Sequence, residues 1–385
     1  MSVTLCSRLV LSDQIIVEIL ARLPVKSLIR FRCVSKTWRA FISDPYFVRK
    51  HLSHSDTKNS FNLNLLLSTY LATSIHYRAL LKIEEDGTVA SSELQYPIQV
   101  PNAFTSRILE KRLVGSYNGL ICLSFYGDTA DTFMLWNPCT GESKLLPKPT
   151  AFDTSYVVFY GFGYDSAADD CKIVRGNCRS RKGDGPQETI IEVFALKTGC
   201  WRTLETVANV VLSDQGSFVN GALHWLQHQW FNEQRCLVAL SIVCFDLAEE
   251  KFREVAVPYP SGFVEQHYFS VGIAVIRNCL TVYFEPANGS DYKMWVMKEY
   301  GIKESWAEVM SIPFEVLPGD YVLGLEPLCL FENDEVLMSL DREVLTLYNQ
   351  KEKTFGNIFK CREDHFWRET ATYVESLVSP FTMFV

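Results

Sequence analysis

Histidines at ligand spacing, aspartates beside aromatics and a glycine pair are the residues here whose types and spacing could carry chemistry. His51 and His54 stand three apart, as zinc ligands can, but no second cysteine or histidine pair completes four donors. They read as a polar pair in a connector. Gly161-Phe162-Gly163 offers two glycines of a dinucleotide fingerprint, without the third glycine or the helix that must follow. A turn between strands is expected there instead. His224-Trp225 follows Asn220-Gly221 and reads as a packed pair on a strand. Asp165 and Asp246 trail aromatic residues, where aspartate closes a turn by accepting backbone N–H groups. No Gly-x-Ser-x-Gly elbow, phosphate-cradling loop or His-Glu-x-x-His helix is present. The expectation is no catalytic residue, no metal and no cofactor.

The 385 residues are 48% hydrophobic and 21% charged, the composition of a folded chain of about two domains. A net charge of −8 argues against a general nucleic-acid binder. No apolar run approaches the roughly 18–20 residues of a membrane span. Twelve cysteines lie scattered without a Cys-x-x-Cys, many in apolar runs, which points to a reducing compartment. The opening residues do not form a secretory signal. A cytoplasmic or nuclear location is expected. Charge divides the chain: residues 1–55 hold nine Lys/Arg against three acids, net +6, and the remainder carries −14. The polar stretch 53–60 reads as a linker between the two parts.

The first part has helical periodicity. Ser12 can cap a helix bearing Ile15, Ile16, Val17, Ile19, Leu20 and Leu23. Pro24 suits the first turn of a second, with Val25, Leu28, Ile29 and Phe31. Ser35 can cap a third, carrying Trp38, Phe41 and Ile42, which Asp44-Pro45 ends. Apolar positions of the first helix spread over an arc of about 200°, twice the stripe a surface helix needs. Three short helices cannot hide that surface alone. Another body must cover part of it.

The second part repeats. Strand-ending aromatics recur at Trp136, Phe194, Phe245, Trp295 and Tyr348, separated by 58, 51, 50 and 53 residues. In three units a second aromatic follows at seven: Phe194/Trp201, Phe245/Phe252 and Tyr348/Phe355. Asn118-Gly119, Asn220-Gly221, Asn278-Cys279 and Asn333-Asp334 supply hairpin turns. A period near 50 with about four short strands is the arithmetic of a propeller blade. A further β-rich stretch at 65–89 makes about six blades, and residues 371–378 alternate like a strand able to pair with the first. Variable content sits in 175–188, 227–235 and 285–293. Their basic residues Arg179, Arg181 and Lys182, and the aromatics Trp230 and Phe231 among polar neighbours, are candidate target contacts.

Residues 11–52 closely resemble a plant-type F-box, through Leu11, Ile15, Ile19, Leu20, Leu23-Pro24, Lys26-Ser27-Leu28, Arg30, Phe31, Cys33-Val34-Ser35-Lys36, Trp38, Ile42 and Asp44-Pro45. The usual opening Leu-Pro is Leu11-Ser12 here. The resemblance implies docking on a Skp-type adaptor, and through it a cullin-RING ubiquitin ligase. Carried over by position, the adaptor-facing residues are Leu11, Ile15, Ile16, Leu20, Leu23, Pro24, Leu28 and Val34, with Ser35 and Lys36 at the rim. Trp38 and Phe41 would hold the helices together. The +6 charge suits an acidic partner by speeding encounter.

Residues 60–378 resemble the plant F-box-associated domain of the first type. The matching residues include Ser116-Tyr117-Asn118-Gly119-Leu120, Leu135-Trp136-Asn137-Pro138, Gly161-Phe162-Gly163-Tyr164-Asp165, Val219-Asn220-Gly221-Ala222-Leu223-His224-Trp225 and Trp295-Val296-Met297-Lys298-Glu299-Tyr300-Gly301. The expected fold class is an α+β multidomain chain. A small three-helix F-box (8–52) and a linker (53–60) precede an all-β propeller-like domain (61–385). The implied function is a non-enzymatic substrate receptor of an SCF-type ligase that presents a protein target for ubiquitin transfer. The contrasting possibility is a propeller lectin or enzyme with a structural helical cap. Adaptor binding discriminates the two.

Overall fold

Four helices open the described chain: α1 (Asp13–Leu20), α2 (Val25–Phe31), α3 (Lys36–Ser43) and α4 (Pro45–Asp56). The computed structural model describes residues 12–56, 63–68, 72–76, 79, 91–97, 110–126, 132–149, 158–179, 188–208, 212, 215–227, 230–231, 236–237, 241–259, 268–286, 290–317, 324–331, 333–360 and 369–382. Ser12 occupies the cap position of α1 without a side-chain cap bond, whereas Ser35 Oγ accepts from Trp38 N at 3.1 Å. The fourth helix corrects the three-helix expectation. Asp44-Pro45 ends α3, but the same pair starts α4. Asp44 Oδ1 accepts from Tyr46 N at 2.8 Å and from Phe47 N at 3.4 Å, and proline fits the first helical position. Because α4 reaches Asp56, residues 53–56 of the expected linker are helix, and 57–60 lie outside the described residues.

Six four-stranded antiparallel sheets follow, arranged as the blades of a propeller. Five inner strands are Glu110–Tyr117, Val158–Asp165, Ser217–Val219, Tyr268–Ile276 and Leu325–Leu330, opening blades 2 to 6. Blade 1 takes its inner strand from the far end of the chain: Thr370–Val374 pairs antiparallel with Leu63–Ser68, Leu65 facing Thr372. This pairing ties the first blade to the last residues and closes the ring, which protects an edge that would otherwise be open.

The repeat in the sequence is a repeat in register. Trp136, Phe194, Phe245, Trp295 and Tyr348 all lie on the third strands of blades 2 to 6. The seven-residue step crosses a tight turn and lands directly opposite. Phe194 faces Trp201, Phe245 faces Phe252 and Tyr348 faces Phe355, with ring centroids 5.2, 4.9 and 4.9 Å apart. Hairpins between first and second strands turn on left-handed residues, as at Asn118 (φ 50°) and Gly119 (φ 80°). In blade 5 the left-handed pair is Arg277-Asn278, one residue earlier than the expected Asn278-Cys279.

Gly161-Phe162-Gly163 is not a turn. It lies inside the inner strand of blade 3, where blade 4 packs closely: a Cβ on Gly163 would stand 2.3 Å from a Phe218 ring carbon. Asp165 and Asp246 close turns as expected, each Oδ1 accepting two backbone N–H groups at 2.9–3.1 Å. Asp165 also meets buried Lys172 at 2.8 Å, which reaches Glu250 at 2.8 Å and the Leu247 carbonyl at 2.6 Å. Burial alone would lower the Lys172 pKa, but these acceptors raise it, so the charge stays in place as a clasp between blades 3 and 4. His224 is a core residue between the Ser217 carbonyl (3.2 Å) and the Tyr300 hydroxyl (2.9 Å), its pKa lowered by burial to about 4. Trp225 donates to the Tyr160 carbonyl at 3.2 Å.

Candidate functional site

The wide apolar arc of α1 serves two surfaces. Leu20 (1% exposed), Val25, Leu28 (0%), Ile42 and Phe47 form the helical core, with Ile16, Val17, Leu23, Phe31 and Trp38 packed around it. On the opposite side Ile15 and Ile19 are each 48% exposed one helical turn apart. Together with Gln14, Glu18 and Arg22 they line a shallow open groove. Val34, at 62% exposed, adds a third uncovered apolar group after α2. The β-rich body does not cover them.

The expected adaptor-facing residues therefore separate. Ile15, Pro24, Val34, Ser35 and Lys36 are exposed, and Ile16 and Leu23 are half-buried at the core boundary. Leu20 and Leu28 are corrected: both are enclosed in a core built by the helices with Leu377 and cannot meet a partner in this arrangement. Leu11 lies outside the described residues. Sequence reasoning left out Ile19, although its place four residues after Ile15 puts both on one face. Exposed Arg22, Lys26, Arg30, Lys36 and Arg39 give the helical module its cationic surface. Glu18 pairs with Lys50, and the bond to Lys50 holds its carboxyl below the usual range.

Trp38 packs against the helical core, and Phe41, on the same helix, is half-buried. The Trp38 ring meets Phe31 edge-on at 5.3 Å. Because Trp38 keeps some exposure, Trp38→Ala is expected to cost about 2–3 kcal/mol, below the range for a fully buried tryptophan. Chemical denaturation monitored at the helices measures it. His51 is not a linker residue. It is buried on α4, its Nε2 within 2.9 Å of the Leu23 carbonyl, and burial lowers its pKa. No group of three metal-ligating side chains stands together among the described residues.

Topology gives the ring two unlike faces. Strands alternate in direction, so first-to-second and third-to-fourth turns emerge at one end of blades 2 to 6. The helical module sits at that end. A cleft of about 300 Å³ joins Arg32, Pro45, Val48 and Leu52 of the helices to Asn118, Glu142 and Asp169 in those turns. Second-to-third connections start and finish at strand ends on the opposite side. The stretches 175–188, 227–235 and 285–293 span these connections in blades 3, 4 and 5, which are neighbours around the ring. Arg179 ends a strand of blade 3, and Trp230–Phe231 forms an extra two-stranded hairpin with Cys236–Leu237. Arg181 and Lys182 lie outside the described residues.

The central channel, a cavity of about 670 Å³, is lined by Arg112, Glu326, Arg342 and Glu369 among others. Each of the four stands at or near the strand ends away from the helices. Close by, burial and the Glu326 charge push the Glu285 carboxyl up to about 8. The mouth opposite the helical module is thus charged and polar.

Two known families match this chain. The F-box domain matches residues 9–50, and the F-box associated beta propeller domain matches residues 81–380. The F-box/kelch-repeat protein At3g23880 of Arabidopsis thaliana is 28% identical over 377 residues, covering 94% of each chain. The F-box protein CPR1 of Arabidopsis thaliana is 29% identical over 374 residues, covering 89% of this chain and 83% of that one. Among solved structures, TolB from Acinetobacter baumannii aligns with a TM-score of 0.44 at 10% identity, over 86% of this chain and 72% of that one. Helices with an uncovered apolar stripe, a six-bladed ring closed by its last strand and both domain matches lead to one conclusion: the chain belongs to the F-box proteins with an F-box associated β-propeller domain.

Proposed function

We propose that this chain is a non-catalytic substrate receptor of an SCF-type ubiquitin ligase. In this reading α1 and the α2–α3 junction dock on a Skp-type adaptor through Ile15, Ile19 and Val34, with Ile16, Leu23 and Pro24 at the edge. The uncovered Ile15–Ile19 stripe carries the reading. Two isoleucines held half-exposed on a rigid helix have no structural use to the chain itself and suit a partner of apolar groove and acidic rim. The target engages the opposite face, on the connections of blades 3 to 5 and the charged channel mouth. Arg179, Arg181, Lys182, Trp230 and Phe231 belong to those connections. Catalysis is positional: holding a target lysine near a charged conjugating enzyme raises effective concentration, and this chain supplies no reacting group. Such a ligase subunit works in the cytoplasm or nucleus. Co-expression with a Skp-type adaptor and a cullin is expected to give a single co-eluting assembly. Elution of this chain as a separate species would refute the assignment.

A further inference from the structure

The ring is closed at Val374, yet the chain continues into the helical module. Leu377 is 2% exposed and packs with Leu20, Ala21, Val25, Leu28, Ile42 and Phe47. Among the described residues it is the one fully buried member of that core contributed from outside the helices. Its position is set by Asn137, itself wholly buried at the turn of blade 2. Asn137 Nδ2 donates to the Ser376 carbonyl at 3.1 Å and the Val378 carbonyl at 2.8 Å, bracketing Leu377 on both sides. Asn137 Oδ1 accepts from Cys139 N at 2.8 Å, which fixes the amide's orientation. Gly119 lets the strand pass: a Cβ there would stand 2.3 Å from Ser376 Oγ and 2.6 Å from the Val374 carbonyl. Val378 then joins Leu52 and Val48 of α4 against blades 2 and 3.

We infer that residues 375–378 are part of the adaptor-docking module, with Leu377 and Asn137 as positioning residues for adaptor binding although they lie far outside the F-box in sequence. The inference rests on the adaptor-docking reading. Leu377 belongs to the buried core beneath the exposed stripe and is not part of that stripe. It acts through Leu20 and Leu28, whose helices display Ile15 and Ile19 and lead into the turn that carries Val34. Since a module of four short helices has little core, one missing large side chain leaves the docking-competent arrangement only partly populated. Apparent affinity then falls by that fraction.

The test uses the full chain and a purified Skp-type adaptor, with calorimetric titration and hydrogen exchange of residues 13–31. Leu377→Ala is expected to weaken adaptor binding roughly tenfold or more and to speed exchange in α1 and α2, while exchange in the inner strands of blades 3 to 6 stays unchanged. Leu377→Val is expected to show the same pattern at smaller size, and Leu377→Met to restore both readouts. Adaptor affinity of Leu377→Ala within twofold of the parent would overturn the inference. So would faster exchange spread evenly over the blades, or loss of the whole fold, because the segment would then serve the ring. If the parent chain itself fails to bind adaptor, the docking reading falls. The exchange of α1 and α2 still decides whether Leu377 supports the helices.

Discussion

A chain lacking residues 369–385 is expected to lose cooperative melting near its parent's transition. The inner strand of blade 1 goes with them, and its five paired positions leave a row of unpaired backbone groups on Leu63–Ser68. Tyr373, buried and hydrogen-bonded through its hydroxyl to Ser74 at 2.7 Å, is lost as well. Glu369 also disappears, and with it the acceptor for Leu113 N and for the Tyr160 hydroxyl at 3.2 Å. Asn137 loses the Ser376 and Val378 carbonyls to which its amide donates. Burial of one large aromatic is worth about 3–5 kcal/mol, and each orphaned polar group costs about 1–3 kcal/mol. Their sum matches or exceeds the roughly 5–15 kcal/mol that a domain has in total. Thermal melting by circular dichroism measures it, and an unchanged curve would show that the ring does not depend on this closure.

The blade architecture was legible because its period is written in residues that must pack. A third-strand aromatic is fixed by the core, and its partner seven residues on by the turn length, so Phe245 and Phe252 announce their register. The closing strand was legible from alternation as far as Val374, but residues 375–378, which continue the same alternation, leave the sheet for the helical module. The Gly161-Phe162-Gly163 run was misread, because glycine marks a turn and a close approach equally well. Only the neighbouring Phe218 and Leu247 tell them apart. The boundary between α3 and α4 was half legible: Asp44-Pro45 reads as a stop, though the same pair starts α4. On α1, periodicity showed that the apolar arc was too wide but not which side faced inward. Leu20 and Leu28 were assigned outward because a motif names positions, whereas burial depends on α3, α4 and Leu377 together. His51 and Asn137 escaped notice as structural latches, since their partners are backbone carbonyls remote in sequence.

The double substitution Ile15→Asp/Ile19→Asp is expected to weaken adaptor binding by about a hundredfold or more. Each change removes an apolar anchor worth about 1.5–3 kcal/mol on burial and brings a carboxylate into an interface that must shed water. Stability should fall by no more than about 1 kcal/mol, since both side chains are half-exposed and outside the helical core. The double variant thereby separates docking from folding, which substitutions at Leu20 or Leu28 cannot do. Asp placed on a cationic module also lowers the rate of encounter with an acidic partner, and this part of the loss shrinks as salt rises. Calorimetric titration of a Skp-type adaptor into parent and Ile15→Asp/Ile19→Asp chains of matched melting temperature is the direct measurement. One-to-one binding by the parent and none detectable by the variant is the expected result. Equal affinities in the two would contradict the claim that this stripe is the docking surface.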